Sequence, residues 1–279
     1  MTYCVAIRTD AGLVFLADSR TNAGVDQIST FRKLTVFERP GERMLVLLTA
    51  GNLSISQSVL SELTEGVSES EGLWAARNLF EAARLVGEAV RTVYRREIDA
   101  LRAHHVDFNI SLILGGQIGS ERCRLFQVYA AGNFIEATDA TAYFQIGESK
   151  YGKPILDRVI DRRTPLDDAA KCALTSMDST LRSNISVGLP LDLLVYEADS
   201  LRVSHFSHIR EHNAYFRMLS STWSERLRQV FADVPNPVWC NADSVLALSG
   251  LESCHQPVRA RPAGGMSGLG VDVAGPATD

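Results

Sequence analysis

Two strand-like segments stand at the very start of this 279-residue chain, joined by a turn too short for anything but an antiparallel hairpin. The first runs through Thr2-Tyr3-Cys4-Val5-Ala6-Ile7-Arg8, the second through Leu13-Val14-Phe15-Leu16-Ala17-Asp18. Between them lies Thr9-Asp10-Ala11-Gly12, where glycine supplies a positive φ without steric cost. Side chains repeat every two residues in a strand, so the turn fixes which face each one takes. Pairing about this turn ends with Asp18 beside Thr2 or Tyr3. A third strand is predicted over residues 31–37, with alternation setting Lys33 on the face opposite Arg32. The turn Arg39-Pro40-Gly41-Glu42 leads to a fourth, residues 44–50, which Gly51 ends. The opening of the chain is therefore antiparallel sheet.

Helical periodicity follows. A first helix is expected after Gly51, capped by Asn52 or Ser54 and ending near residue 67. A longer one spans residues 73–104, where Leu79, Ala82, Ala83, Val86, Val90, Val93 and Ile98 recur near helical spacing. Strands are predicted at 109–114 and 124–130, joined by Gly115-Gly116-Gln117-Ile118-Gly119, and a short strand ends at Gln145-Ile146. Helices follow at 150–161 and 165–181. The second carries a capping box, with Thr164 at the N-cap, Pro165 at N1 and Asp167 at N3. A closing hairpin pairs 191–197 with 202–206, and a last helix covers 213–231. Strand blocks alternating with helix pairs suit two stacked sheets with helices outside. One domain is expected over residues 2–239. Residues 240–279, rich in Pro, Gly and Ala, bury too little apolar surface to order and are expected to form a disordered tail.

Bulk properties narrow the function. With 46% apolar and 22% charged residues the chain can bury a sizeable core. A net charge of -5 sets it apart from nucleic-acid binders, whose footprint is basic. No apolar run approaches the roughly 18 residues of a membrane span, and a signal peptide's charged and apolar regions are lacking. Cys4, Cys123, Cys172, Cys240 and Cys254 are scattered without a CxxC, as expected of reduced thiols in the cytoplasm. His205, His208 and His212 straddle a strand end and a helix start, share no face, and read as surface residues rather than a metal site. Gly265, Gly268 and Gly270 lack the flanking strand and helix of a nucleotide loop. Arg91, Arg95, Arg96 and Arg102 read as a solvated or interface helix face. No cofactor or metal is expected.

Chemistry concentrates at Thr2. A small second residue permits removal of Met1, and Thr2 then carries a free α-amine beside its own hydroxyl. Nucleophile and base share one residue. An unperturbed α-amine has a pKa of about 8, so part of it is neutral near pH 7 and can take the hydroxyl proton through a bridging water. Lys33 would set a cation beside the hydroxyl and favour the alkoxide. Asp18 would hold Lys33 and balance its charge. Gly51 is the candidate oxyanion donor, since a residue without Cβ lets backbone approach a substrate closely. Singly, Asp18 also reads as a strand-end residue and Lys33 as a surface charge. Their convergence with Thr2 at one strand end carries the catalytic reading.

Several blocks, spaced and in order, are similar to the active-site signature of proteasome β-subunits. They are Ala17-Asp18-Ser19-Arg20-Thr21-Asn22-Ala23-Gly24, then Lys33, then Ala50-Gly51. The chain most closely resembles the bacterial proteasome-related Anbu family, which opens with a near-identical Met-Thr-Tyr-Cys-Val. Ser29-Thr30-Phe31-Arg32-Lys33, Gly147-Glu148-Ser149-Lys150-Tyr151-Gly152-Lys153-Pro154 and Arg182-Ser183-Asn184-Ile185-Ser186-Val187-Gly188 fit it too. The resemblance runs from residue 2 to about 239. It implies a four-layer αββα sandwich of the N-terminal nucleophile hydrolase type. It implies a threonine-type peptidase acting on peptide or unfolded protein, self-assembled into a ring or open spiral, with any unfoldase partner unspecified. Thr21, Asn22 and Ala23 follow the segment that takes substrate backbone as an added strand, and Arg20 would buttress the site through an ion pair. Two blocks depart from the proteasome pattern. Gly147-Glu148-Ser149 stands where Gly-Ser-Gly is usual, with Glu148 in the place of the Ser, and Ser183 or Asn184, ahead of Ser186, where an Asp is usual. Glu148, Ser149, Asn184 and Ser186 are thus supporting positions. Two other readings stay open. One is a silent assembly subunit like proteasome α-subunits, which carry an N-terminal helix. The other is an N-terminal nucleophile amidase, which would need a deep closed pocket.

Overall fold

The computed structural model describes residues 2–23, 27–65, 67–68 and 70–236. The chain divides into a unit of residues 1–229 and a unit of residues 230–279. The boundary expected at 239/240 and the tail after it lie outside the described residues, with Cys240, Cys254 and the three tail glycines.

The opening hairpin forms with β1 (Tyr3–Thr9) against β2 (Gly12–Asp18), Cys4 opposite Ala17. Both strands are almost wholly buried on both faces, which is why they read as near-continuous apolar runs. Two further hairpins follow: β3 (Arg20–Ala23) pairs with β4 (Gln27–Thr30), and β5 (Leu34–Arg39) with β6 (Arg43–Gly51). Next come α1 (Leu53–Thr64), α2 (Gly72–Ala75) and α3 (Leu79–Ala103). Strands β7 (Ile110–Ile118), β8 (Arg124–Val128), β9 (Phe134–Glu136) and β10 (Tyr143–Gly147) precede α4 (Lys153–Val159) and α5 (Leu166–Ser183). Then β11 (Leu191–Glu197), β12 (His205–Ile209) and α6 (Ala214–Asp233) close the described part. One five-stranded sheet runs β10-β1-β2-β11-β12, a second runs β5-β6-β7-β8-β9, and β3-β4 form a two-stranded sheet of their own. Every pairing is antiparallel.

Three apolar clusters hold this together. Cys4, Phe15 and Leu194 of the first sheet meet Met44, Leu48, Ile113 and Leu125 of the second. The other side of the second sheet, with Leu45, Leu47, Leu114 and Phe126, packs on Val59, Leu79, Val86 and Val90 of the helices. The other side of the first sheet, with Tyr3, Val5, Val14 and Leu16, packs on Leu156, Ala173, Met177 and Phe216. Gly115 lies between the sheets, where a Cβ would come within 2.8 Å of both Phe15 and Leu125.

Several sequence expectations need correction. Phe31, Arg32 and Lys33 lie between β4 and β5, outside any strand, so alternation does not aim Lys33. Its backbone is held by the Thr49 N–H, which donates to the Lys33 carbonyl at 3.0 Å. The predicted 73–104 helix is broken after α2 because Arg43 Nη1 takes the carbonyls of Leu73 and Ala76, at 2.8 and 3.1 Å. Asn78 then caps α3 afresh by accepting from the Glu81 N–H. Gly115 to Ile118 belong to β7, and the chain turns at Gly119. Helix α5 starts one residue late, with Pro165 at the N-cap; Thr164 Oγ1 accepts from the Asp161 N–H at 2.9 Å and caps nothing. The last strand sits at 205–209, and β9 carried too short a pattern to be read. Arg91 is tied to the Gly132 carbonyl at 2.8 Å rather than being solvated, while Arg96 pairs with Glu62.

Phe15 is fully buried in the cluster shared by the two sheets. Phe15→Ala should lower the unfolding free energy by about 3–5 kcal/mol, read from urea midpoints. A loss below about 1 kcal/mol would mean the sheets do not meet there.

Candidate active site

The site is built at the end of β2. Asp18 closes that strand with no solvent exposure, so each carboxylate oxygen must find donors inside. Oδ1 accepts the Tyr3 N–H at 3.0 Å and the Lys33 ammonium at 2.8 Å, and Oδ2 accepts the Gly188 N–H at 3.4 Å. Lys33, itself buried, also donates to the Arg20 carbonyl at 2.6 Å. Burial pushes the Asp18 carboxyl above its ordinary value, while the Lys33 cation and the two backbone donors pull the other way. The Cys4 thiol beside them donates to the Thr49 carbonyl at 3.7 Å, and burial, then the Asp18 charge, push it far up. It is a core thiol rather than a second nucleophile.

Thr2 precedes the Tyr3 N–H that Asp18 holds, and on its other side its carbonyl accepts the Glu148 N–H at 2.7 Å. Gly147 is required here: its φ is +82°, and a Cβ would stand 1.9 Å from the Thr2 carbonyl oxygen. Gly51 is required for a reason other than substrate approach. Its φ is +118°, and a Cβ would stand 2.3 Å from the Asn109 carbonyl oxygen.

Thr2, Lys33, Gly51, Arg20, Thr21 and Glu148 line one cavity of about 800 Å³. Thr49, Asn52, Ser56, Asp107, Asn109 and Ser111 line it as well, and sequence reasoning missed them. The pairing of β6 with β7, which sets Ser111 opposite Ala50, would have pointed to Ser111. Arg20 makes no ion pair among the described residues; it donates to the Ile185 carbonyl at 3.1 Å and lies against Gly188. Ser149, Asn184 and Ser186 are not among the residues lining the cavity. The Asn184 side chain accepts the Ser186 N–H at 2.9 Å and shapes the loop whose backbone reaches Arg20 and Asp18. Asn22 and Ala23 belong to β3, opposite Ile28 and Gln27. His208 pairs with Asp192 at 2.7 Å, and among the described residues no cluster of His, Cys, Asp or Glu could hold a metal ion. No helix among them is long and apolar enough to cross a membrane.

No protein-family model matches the chain, and no curated protein does either. Solved structures match closely. Anbu (ancestral beta-subunit) from Yersinia bercovieri is 54% identical, with a TM-score of 0.79, over 84% of this chain and 98% of that one. A Gly-1 mutant of Anbu from Hyphomicrobium sp. strain MC1 is 52% identical, with a TM-score of 0.79, over 85% of this chain and 99% of that one. The helical assembly of the Anbu complex from Pseudomonas aeruginosa is 48% identical, with a TM-score of 0.81, over 85% and 98%. Antiparallel sheets flanked by helices, at this likeness, define a relative of proteasome β-subunits. The chain belongs to the Anbu family.

Lys33→Ala would leave the Asp18 charge buried without its cation and should cost about 3–5 kcal/mol of stability. Asp18→Asn combined with Lys33→Met should recover much of that loss in a double-mutant cycle of urea midpoints. Strict additivity would mean the pair is not coupled.

Proposed function

We propose that this protein is a threonine-type peptidase. Its nucleophile is Thr2, exposed by removal of Met1, and it acts on peptide or unfolded protein within a self-assembled oligomer. The observation that carries this reading is the buried Lys33–Asp18 pair, which opens onto the cavity that Thr2 lines. Lys33 favours the alkoxide and disfavours a second positive charge on the α-amine. Thr2 Oγ1 attacks the scissile carbonyl carbon as its proton passes to the α-amine. The oxyanion forms on the Gly51 side, where a lost donor typically costs about 100- to 1,000-fold in rate. The C–N bond then breaks, the leaving amine takes the proton, and water hydrolyses the Thr2 ester.

An extended substrate would lie as an added strand beside Thr21, Asn22 and Ala23 of β3. Thr21 Oγ1 supports this: it is buried at the cavity without a hydrogen-bond partner among the described residues. The three apolar clusters support the four-layer αββα arrangement. The helical assembly of the Pseudomonas aeruginosa relative supports self-association.

Protein from its native host should lack Met1 by intact mass, and a peptide epoxyketone should modify Thr2, since that warhead needs both hydroxyl and amine. Thr2→Ala should abolish labelling while the fold is kept. Labelling that persists on Thr2→Ala, or moves to Ser149, would overturn the assignment; normal assembly with no labelling would make this a silent subunit.

Light scattering should give a mass many times 30.6 kDa. A strict monomer at micromolar concentration would sink the oligomer.

A further inference from the structure

Removal of Met1 would add a cation to a crowded place. The Lys33 charge is already matched by Asp18 at 2.8 Å, but the new α-ammonium of Thr2 needs a partner of its own. The candidate is Glu148. Strand β1 pairs with β10 so that Tyr3 faces Gly147. Glu148 follows Gly147 at the end of that ladder, and the 2.7 Å bond from its N–H to the Thr2 carbonyl holds its backbone beside Thr2. Both residues line the same cavity.

The Glu148 side chain is itself under-satisfied. Its Oε2 is buried and has no hydrogen-bond partner among the described residues. The cation paired with it is Lys150, at 3.6 Å, beyond hydrogen-bond reach, with a side chain 69% exposed. A buried carboxylate oxygen without a donor is costly to maintain. An ammonium on Thr2 would satisfy it.

We propose that the Glu148 carboxylate is the counter-ion of the Thr2 α-amine and keeps that amine protonated at neutral pH. The inference rests on the reading of Thr2 as the processed terminus. Glu148 acts as a positioning residue, through the amine rather than on substrate. Lys33 and Arg20 oppose it, Asp107 adds to it, Asp18 is spent on Lys33, and Lys150 screens it from the solvent side. The Glu148 carboxylate outweighs Lys33 at the amine because Asp18, at 2.8 Å, offsets part of the Lys33 charge, the rest of which still favours the alkoxide on Oγ1. The general base is then mostly blocked near pH 7 and becomes available as pH rises.

The test is the titration of the α-amine in the processed, assembled protein. Its rate of acetylation by trace acetic anhydride is followed against pH by mass spectrometry in wild type, Glu148→Gln, Glu148→Ser and Glu148→Asp. Loss of the carboxylate should lower the midpoint by about one pH unit in Gln and Ser, speeding acetylation at pH 7 by up to about tenfold. Asp should keep the midpoint near that of wild type. The pH profile of epoxyketone labelling should shift the same way. Equal midpoints in wild type and both charge-free variants would overturn this inference and leave the peptidase reading intact. A shifted amine on a Thr2 that never labels would support Glu148 and overturn the peptidase. Met1 retained in protein from the native host would overturn both.

Discussion

The Asp18 carboxylate is the junction on which the site depends. A charge with no solvent contact is tolerated only where donors converge on it, and here they come from three separate parts of the chain. Tyr3 brings the N-terminal strand, Lys33 the crossing between the β3–β4 hairpin and the second sheet, and Gly188 the loop after α5. Each donor is local to a different element, yet the three are fixed relative to one another by a single side chain. The Lys33 ammonium, bound also by the Arg20 carbonyl, has one direction left to act, toward the cavity that Thr2 lines.

Packing supplies the rigidity that this junction needs. β1 and β2 are covered on one face by the second sheet and on the other by α4, α5 and α6, so neither can shift without opening two clusters. Backbone contacts too close for a Cβ lock the cavity edges: Gly147 against the Thr2 carbonyl, and Gly51 against that of Asn109. These are local geometric demands, and they place both glycines whether or not a substrate is present. The same close approach positions Thr2 from the β10 side while Asp18 positions it from the β2 side.

Much of this was legible in the chain. The register of β1 with β2 follows from a short turn and a period of two, so the sequence sets Asp18 beside Thr2 or Tyr3, and the structure selects Tyr3. The antiparallel character and most of the long elements were readable for similar reasons, as was a cap at Asn52 or Ser54, which the structure assigns to Asn52; the β3–β4 hairpin and β9 were not. What could not be read depended on partners distant in sequence. The break between α2 and α3 is made by Arg43, about thirty residues earlier, taking two carbonyls that a continuous helix would have used. Lys33 lies outside its expected strand because Thr49 and Ser19 hold that crossing. The polar wall from Asp107 to Ser111 and the carbonyl partner of Arg20 arise only when β7 and the 184–188 loop are brought to the same place.

The place of β1 between β10 and β2 also orders events in time. Its two neighbours are made at very different moments: β2 follows at once, whereas β10 ends only at Gly147. At synthesis rates of about 5–20 residues per second, that gap is on the order of 10 s. Throughout it the first strand has an open edge and its start is unpinned, which is when the proposed removal of Met1 would meet least hindrance. Once β10 docks, the Glu148 N–H takes the Thr2 carbonyl and the end of the chain becomes part of a closed ladder. For the proposed removal of Met1, the late arrival of β10 would then set the time available.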